Sequence, residues 1–278
     1  MQHNTFSTIG TLLDNSHLER GRLTSIAALQ HNFKTGLLVE SLVRFAYDNP
    51  KSKEDEVEDL VLVTPAVFES MVDLLTNYIQ KVAGIKPTAF TLISKADFIS
   101  GWFLGRGYHF VLLNFQHMTT TDWTMSKIRH SVETAVSRGA NSLRLLVVDD
   151  LREIVPHEDH YEYRMMIREL RILVKEMNAA GLFNQPLNTD AASLLRTVRD
   201  TGGSVDDYLK DVAKGGYYED SPQLAQEIDG EIYIHIARSA NDKTPYLAAV
   251  RGKNRVAQLQ EAPSVAHIPF DPNHTGLV

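Results

Sequence analysis

The sequence predicts an α/β fold, a largely parallel sheet flanked by helices. Short apolar runs alternate along the chain with longer segments of helical periodicity, which is the pattern of strands joined by crossover helices. The chain has 278 residues, of which 43% are hydrophobic and 23% charged, and this is enough for one large domain with a substantial core. No internal repeat interrupts the alternation, so the sequence indicates one continuous unit.

Composition excludes several classes of protein. The sequence contains no cysteine, which rules out disulfides and thiolate metal sites and permits a reducing compartment. No apolar run approaches the ~18–20 residues that span a bilayer, and the N-terminus lacks the apolar stretch of a signal peptide. The formal net charge of −7 argues against a surface covered in phosphate-binding lysines, although it leaves room for a local basic stripe. We therefore expect a cytoplasmic protein without a membrane partner.

The individual elements follow from periodicity and from turn residues. The predicted strands cover residues 23–28, 60–64, 90–93, 109–114, 143–148, 181–184, 230–237 and 245–250. The predicted helices cover residues 36–48, 66–83, 123–137, 161–179 and 191–201. Between them, residues 51–59 and 202–220 are predicted as surface loops, and the tail from residue 261, which carries three prolines, as irregular.

A modified phosphate-binding motif joins the first predicted strand to the first helix. The usual pattern G-x-x-x-x-G-K-[ST] corresponds here to Ala28, four further residues, and then Phe33-Lys34-Thr35. In such a motif the lysine meets the β/γ-phosphates as a point charge, the next hydroxyl ligates Mg²⁺, and the helix N-terminus adds a positive dipole end. The predicted nucleotide-binding residues are Ala28, Leu29, Gln30, His31, Asn32, Phe33, Lys34, Thr35 and Gly36.

The motif departs from its pattern because both glycines are replaced. A ring at Phe33 crowds bound phosphates unless it points away, since only glycine adopts every loop conformation freely. His31 and Asn32 are candidates to replace some of the lost backbone donors, and we expect His31 to be a loop donor rather than a catalytic base.

An apolar run that ends in two acids supplies the expected metal ligand. In phosphate-loop enzymes the aspartate at the end of such a strand holds the Mg²⁺ shell, and here the run ends in Asp149 and Asp150. The order of loop and aspartate favours this function over a core strand that merely ends in a polar turn, so we assign Mg²⁺ to Thr35 and Asp149. The next strand ends in Asn184-Gln185, an amide pair that senses a γ-phosphate or simply ends the strand.

Taken in order, these segments resemble the RecA-like motor domain of DnaB-type replicative DNA helicases, particularly the phage versions. The loop 28–35 and the run 145–150 fall at the family's Walker A and Walker B positions. Five further stretches carry the resemblance: residues 6–14 (FSTIGTLLD), 21–23 (GRL), 167–187 (IRELRILVKEMNAAGLFNQPL), 220–229 (DSPQLAQEID) and 250–255 (VRGKNR). The resemblance covers nearly the whole chain and divides it into an N-terminal linker segment, 1–22, and a RecA-like P-loop ATPase domain, 23–278.

The resemblance implies an ATP-dependent motor that uses Mg²⁺. Members of the family form hexameric rings, hydrolyse ATP between subunits, move along single-stranded DNA and work with a primase or a helicase loader. By this resemblance the reacting groups are Lys34, Asp149, Gln185, and then Arg251 and Lys253 in a hairpin (245–256) that reaches a neighbour's ATP, with Arg255 in reserve. A phage origin would place the protein in the cytoplasm of the host.

Two positions of the family are not matched by the sequence. The family's catalytic glutamate follows the second strand, where simple alignment places Ala66. Glu69 and Asp150 are candidate substitutes, of which we favour Asp150; without a substitute the chain binds nucleotide and hydrolyses it poorly. The arginine of the family's DNA-contacting loop falls on Glu219.

Other residues of the loop 202–220, predicted to be mobile and to face DNA, are candidates to replace that arginine. Affinity for the backbone of a nucleic acid strand needs cations or N–H donors rather than one motif, and the candidates are Lys210, Lys214, Gly215 and Gly216. Tyr217 and Tyr218 either stack on bases or pack the loop against the sheet, and we expect packing.

Three functions therefore compete. The leading one is an ATP-dependent replicative DNA helicase core that moves on single-stranded DNA as a ring. The first alternative is a degenerate RecA-like subunit with weak or no ATPase activity that serves as a structural or regulatory partner in replication. The second is a RecA-like recombination protein that forms filaments rather than rings.

Overall fold

The chain is seen in a computed structural model that describes residues 18–52, 55–86, 90–115, 124–139, 142–154, 160–219, 222–239, 243–254, 265–271 and 276–277. These residues form the strands β1 (Arg22–Ala28), β2 (Glu58–Thr64), β3 (Tyr108–Asn114), β4 (Ser142–Val148), β5 (Ala180–Pro186), β6 (Gly230–Arg238), β7 (Pro245–Asn254), β8 (Val265–Asp271) and β9 (Gly276–Leu277). The order across the sheet is β3-β2-β4-β5-β1-β6-β7-β8-β9. Pairing is parallel from β3 to β6 and antiparallel from there to β9, which confirms the predicted α/β fold.

Helices cover both faces of the sheet. They are α1 (Lys34–Asp48), α2 (Phe68–Ala83), α3 (Leu92–Leu104), α4 (Met125–Gly139), α5 (Leu151–Ile154), α6 (His160–Glu176), α7 (Thr189–Asp200) and α8 (Val205–Val212), followed by a 3-10 helix, Pro222–Gln226. Within the described ranges, no helix combines the length and the apolar character that crossing a membrane requires.

The core has two halves, one on each face of the sheet. Neighbouring residues of β1 serve different halves: Ile26 packs with α1, α2 and α3, whereas Ala27 packs with α4, α6, α7 and α8. Because both faces are covered, the strands are continuous apolar runs rather than alternating ones. Because the strands are parallel, the carboxyl ends of β1, β2, β4 and β5 meet at one edge, and this edge carries the candidate site.

Three predicted elements are wrong. The apolar residues 90–93 were predicted as a strand, but they lead into helix α3, which Thr91 and Ser94 begin with a reciprocal capping box. The predicted loop 202–220 contains helix α8, which begins with a second capping box, between Ser204 and Asp207. The tail was predicted as irregular, but β8 pairs with β7, a long-range contact that local sequence does not encode.

Candidate nucleotide site

The loop between β1 and α1 has the backbone of a glycine-bearing turn without its glycines. His31 and Phe33 adopt left-handed conformations, with φ of 61° and 63°. Phe33 is the residue from which α1 begins, and its carbonyl oxygen accepts from the amide of Leu37 at 3.0 Å. A side chain in this region costs about 1–2 kcal/mol. The loop therefore carries backbone strain that a glycine at either position would remove.

The ring of Phe33 packs on Gly36. A Cβ added at Gly36 would lie 2.2 Å from Cε2 and 2.4 Å from Cζ of this ring, which is far inside van der Waals contact. The ring also packs against the half of the core formed by α1, α2 and α3. A glycine has thus been lost from the motif at Phe33, while the glycine at Gly36 accommodates the ring that replaced it.

Asn32 fastens the loop to the neighbouring strand. Its side-chain nitrogen donates to the carbonyl oxygens of Leu29 and Gln30, at 3.3 and 3.1 Å, and its side-chain oxygen accepts from the amide of Ile236 at 2.9 Å. The side chain is buried, and its polar atoms are engaged by the protein itself. His31, by contrast, is exposed at the tip of the loop.

Asp149 is the centre of the site. Its Oδ1 accepts from the hydroxyl of Thr35 at 2.8 Å and from the amide of Asn184 at 2.6 Å, and its Oδ2 accepts from the hydroxyl of Thr64 at 3.1 Å. Asp149 is only 3% exposed, and burial raises its pKa, an effect that the hydroxyl of Thr35 partly opposes. The structure thus brings together the predicted metal residues, Thr35 and Asp149.

Thr64 and Asn184 complete this cluster; sequence reasoning missed Thr64, and it named Asn184 only together with Gln185 as an amide pair at the end of a strand. Each is a polar residue at or near the carboxyl end of a buried parallel strand, β2 or β5, and that position was the available signal. The cluster fits Mg²⁺, because this ion takes one or two oxygen ligands from protein and keeps several waters. Among the described residues, no group of three or more His, Cys, Asp or Glu side chains could hold a metal ion.

Lys34 lies at the mouth of the loop. Its Nζ donates to the carbonyl oxygen of Ala28 across a long bond of 3.4 Å. Burial lowers the pKa of Lys34, and the negative charges of Asp150 and Glu219 offset part of that effect. The amine therefore stands among acidic side chains, held by a weak bond to a neutral carbonyl.

The position after β2, where the sequence resemblance expects a catalytic glutamate, carries the methyl group of Ala66. The amide of Ala66 donates to the hydroxyl of Thr64 at 3.1 Å, and its carbonyl oxygen accepts from Asn114 at 2.6 Å, so its backbone is fixed. Glu69 is exposed in the first turn of α2. Asp150 is half-buried with φ of 50° and acts electrostatically on Lys34.

Glu153 is an acidic neighbour of this site that sequence reasoning missed. It lies in α5, and its pKa is raised by burial and then by the negative charges of Asp150 and Asp149. Its position one turn beyond the two aspartates was the available signal.

Gln185 lies on the other face of the sheet from Asn184, because successive strand residues point to opposite sides. It is fully buried, its Oε1 accepts from the hydroxyl of Tyr163 at 2.9 Å, and its Nε2 donates to the carbonyl oxygen of Pro186 at 3.3 Å. The structure therefore does not bring Gln185 into the cluster around Asp149, and its sensing role stays a prediction.

The hairpin cations lie away from the loop of their own chain. Arg251 lies opposite Ile232 in the pairing of β7 with β6, and Ile232 lies beside the middle of β1. Because β7 is antiparallel to β6, the chain after Arg251 runs towards the amino end of β1. Lys253 lies further along β7. Arg255 and the linker segment as far as residue 17 lie outside the described residues.

The DNA-facing candidates cluster around α8. Lys210 is exposed on this helix, and Lys214 forms an ion pair with Asp211 at 2.5 Å. Gly215 and Gly216 follow with φ of 98° and 93°, which only glycine adopts readily.

The two tyrosines after these glycines pack against the protein. Tyr218 is buried, and its hydroxyl lies 3.3 Å from those of Ser25 and Tyr233, which confirms the packing predicted for it. Tyr217 is partly buried against the same half of the core.

Comparison with known proteins identifies the family. A family model described as a divergent DnaB-like ATPase matches residues 7–277. The chain belongs to the divergent DnaB-like ATPases. This confirms the resemblance to DnaB-type RecA-like domains that the sequence motifs carried.

A solved structure supports the fold of this divergent DnaB-like ATPase. The structure is that of a DnaB-like replicative helicase, described together with its interactions with primase. It aligns with a TM-score of 0.60 at 13% identity, over 94% of this chain and 59% of that one. The chain thus corresponds to about three fifths of that helicase's length. No curated protein sequence matches the chain.

Proposed function

We propose that the chain is the motor core of a DnaB-like replicative helicase, which binds ATP with Mg²⁺ and moves along single-stranded DNA as a ring of copies. The observation that supports this most is the buried carboxylate of Asp149, which accepts a hydrogen bond from the hydroxyl of Thr35, the residue next to Lys34. ATP supplies the phosphoanhydride, and Mg²⁺ neutralises charge on its phosphates.

Each residue of the cluster has a role in this proposal. Lys34 exchanges its long bond to a carbonyl oxygen for a phosphate oxygen, and Thr35 and Asp149 hold Mg²⁺. Asp150 accepts the proton of the attacking water in place of the missing glutamate. Gln185 senses the γ-phosphate, which requires its amide to leave Tyr163.

Assembly of several copies completes the proposed motor. Arg251 and Lys253 reach the ATP of a neighbouring copy, in keeping with a strand that leads away from the loop of its own chain. The described candidates for contact with a DNA strand are Lys210, Lys214, Gly215 and Gly216. A hexameric ring and contact with a primase or a helicase loader belong to the same proposal.

Ala66 favours a second candidate function. With a methyl group where the related helicases have glutamate, the chain would bind ATP and hydrolyse it slowly, as a regulatory or structural partner in DNA replication. The two functions share the site and differ in the rate of hydrolysis.

Steady-state ATP hydrolysis with and without single-stranded DNA tests the proposal. We expect hydrolysis that DNA stimulates and that Lys34→Ala lowers by about 100-fold, since a charge-assisted contact to phosphate is lost. Lys95→Ala, which removes a lysine of α3 that pairs with Asp73 of α2, is the matched control. Binding of ATP without turnover would favour the second function, and wild-type activity in Lys34→Ala would overturn the proposal.

A further inference from the structure

A salt bridge stands beside the phosphate loop. Arg152, in α5 just after the two aspartates, donates to the carboxylate of Glu219 at 2.5 Å. The two side chains are 28% and 36% exposed, so the pair is accessible to solvent and to a ligand. Glu219 occupies the position where the related helicases carry the arginine of a DNA-contacting loop.

The backbone holds Glu219 close to Lys34. The amide of Glu219 donates to the carbonyl oxygen of Pro186 at 3.2 Å. Leu187, the residue after Pro186, donates its amide to the carbonyl oxygen of Ala28 at 3.0 Å. That same oxygen of Ala28 accepts from the amine of Lys34. The segment 217–219 is therefore attached to the end of β5 directly beside the loop.

The charges of Arg152 and Glu219 act on the amine of Lys34, the group that we propose to contact phosphate. The carboxylate of Glu219 raises the pKa of Lys34, and the guanidinium of Arg152 lowers it. A triphosphate brings several negative charges to the same place. It repels Glu219 and attracts Arg152, whose planar fork matches phosphate as well as carboxylate.

We propose that Glu219 is a built-in competitor of the nucleotide phosphates, so that binding of nucleotide breaks the Arg152–Glu219 pair and turns Arg152 towards the phosphates. This inference rests on the proposed function.

Titration with Mg²⁺ and a non-hydrolysable ATP analogue, without DNA, tests this directly. We expect Glu219→Gln to tighten binding by roughly 3- to 10-fold and Arg152→Gln to weaken it by a similar factor, the range for a partly exposed ion pair. In the Arg152→Gln background, Glu219→Gln should have a smaller effect.

Two controls separate the pair from a general effect of charge. Glu227→Gln breaks an Arg–Glu pair on α6, that with Arg164, and should leave the affinity unchanged. Glu153→Gln removes one negative charge from the same helix as Arg152 without breaking the pair, and it should tighten binding less than Glu219→Gln.

The possible outcomes distinguish this inference from the proposed function. The inference is supported if Glu219→Gln binds the ATP analogue more tightly than the wild type does, or if the variant binds it and the wild type does not. Equal binding by wild type and Glu219→Gln overturns the inference and leaves the proposed function intact. Absence of binding in both overturns the two together. If Glu219→Gln does not fold, unchanged affinity in Arg152→Gln overturns the inference.

Discussion

The candidate site has a phosphate side around Asp149 and a water side around Ala66. The two sides differ in the number of side-chain hydrogen bonds that hold them in the fold. On the phosphate side, Asp149 accepts three side-chain hydrogen bonds, from α1, β2 and β5. On the water side, Ala66 contributes a methyl group and two backbone hydrogen bonds. Buried polar groups left unpaired cost about 1–3 kcal/mol each. The side that we propose to bind the metal is therefore also a structural joint between three elements, whereas Ala66 contributes no side-chain hydrogen bond to the fold.

Replacement of Asp149 tests the phosphate side and carries the largest expected effect. Asp149→Ala leaves the donors of Thr35, Thr64 and Asn184 without an acceptor, so we expect a loss of about 1–3 kcal/mol in the free energy of unfolding. Asp149→Asn keeps the shape and removes the charge, so Mg²⁺-dependent nucleotide binding should be lost with a smaller loss of stability. Denaturant unfolding and nucleotide titration with and without Mg²⁺ measure both, and undiminished Mg²⁺-dependent binding by Asp149→Asn would refute the assignment.

The pH dependence of the wild type sharpens the same test. Mg²⁺ needs the ionised carboxylate, and burial raises the pKa of Asp149 above its usual value of 3.8. Binding that depends on Mg²⁺ should therefore weaken, as pH falls, at a higher pH than an exposed aspartate would cause. A titration midpoint at or below the ordinary value would contradict this.

Restoring an acid on the water side should produce a smaller gain. Ala66→Glu places a carboxylate where the sequence resemblance expects a glutamate, and we expect ATP turnover to rise by about tenfold or more because a second general base is added to Asp150. Nucleotide affinity should be unchanged, since the side chain of Ala66 takes no part in the Asp149 cluster and its backbone hydrogen bond to Thr64 is kept in the variant. Ala66→Gln matches the size without the charge, and equal turnover in the two variants would show that a carboxylate at this position does not act as a base.

The smallest effect concerns the loop between β1 and α1. Gly36→Ala in the wild type drives a methyl group into the ring of Phe33, so we expect a loss of about 1 kcal/mol in stability. In a Phe33→Gly background the ring is absent, and the same change should be neutral or stabilising, as alanine is in a helix. A double-mutant cycle by thermal unfolding measures this coupling, and simple additivity would disprove the packing of Phe33 on Gly36.

Three residues of the phosphate side could be predicted from sequence, whereas the residues that the fold places beside them could not. Lys34, Thr35 and Asp149 follow from local motifs and from the order of strands. Thr64 joins them only through the register of β2 against β4. Glu219 joins them through the pairing of the segment 217–219 with the end of β5. Such register is a long-range property, which no local pattern contains.

The missed helices are a different case, because their signals were present in the sequence. Thr91 and Ser94 at the start of α3, and Ser204 and Asp207 at the start of α8, have the spacing of a capping box. The mostly apolar run 90–93 favoured a strand and the glycines near residue 202 favoured a loop, and both predictions followed these signals instead of the capping boxes. Gln185 and Asn184 illustrate a limit of another kind, since neighbouring strand residues face opposite sides and sequence alone does not say which side carries the site.

Hydrolysis and binding of ATP by Asp150→Asn, measured on the same sample, test the central claim most directly. Asparagine adopts the left-handed backbone of Asp150 readily, so the variant should fold as the wild type does. We predict an affinity for ATP with Mg²⁺ at least equal to that of the wild type and single-turnover hydrolysis at least about tenfold slower, because the base is lost while the phosphate side is intact. Hydrolysis by Asp150→Asn at the wild-type rate would contradict the account.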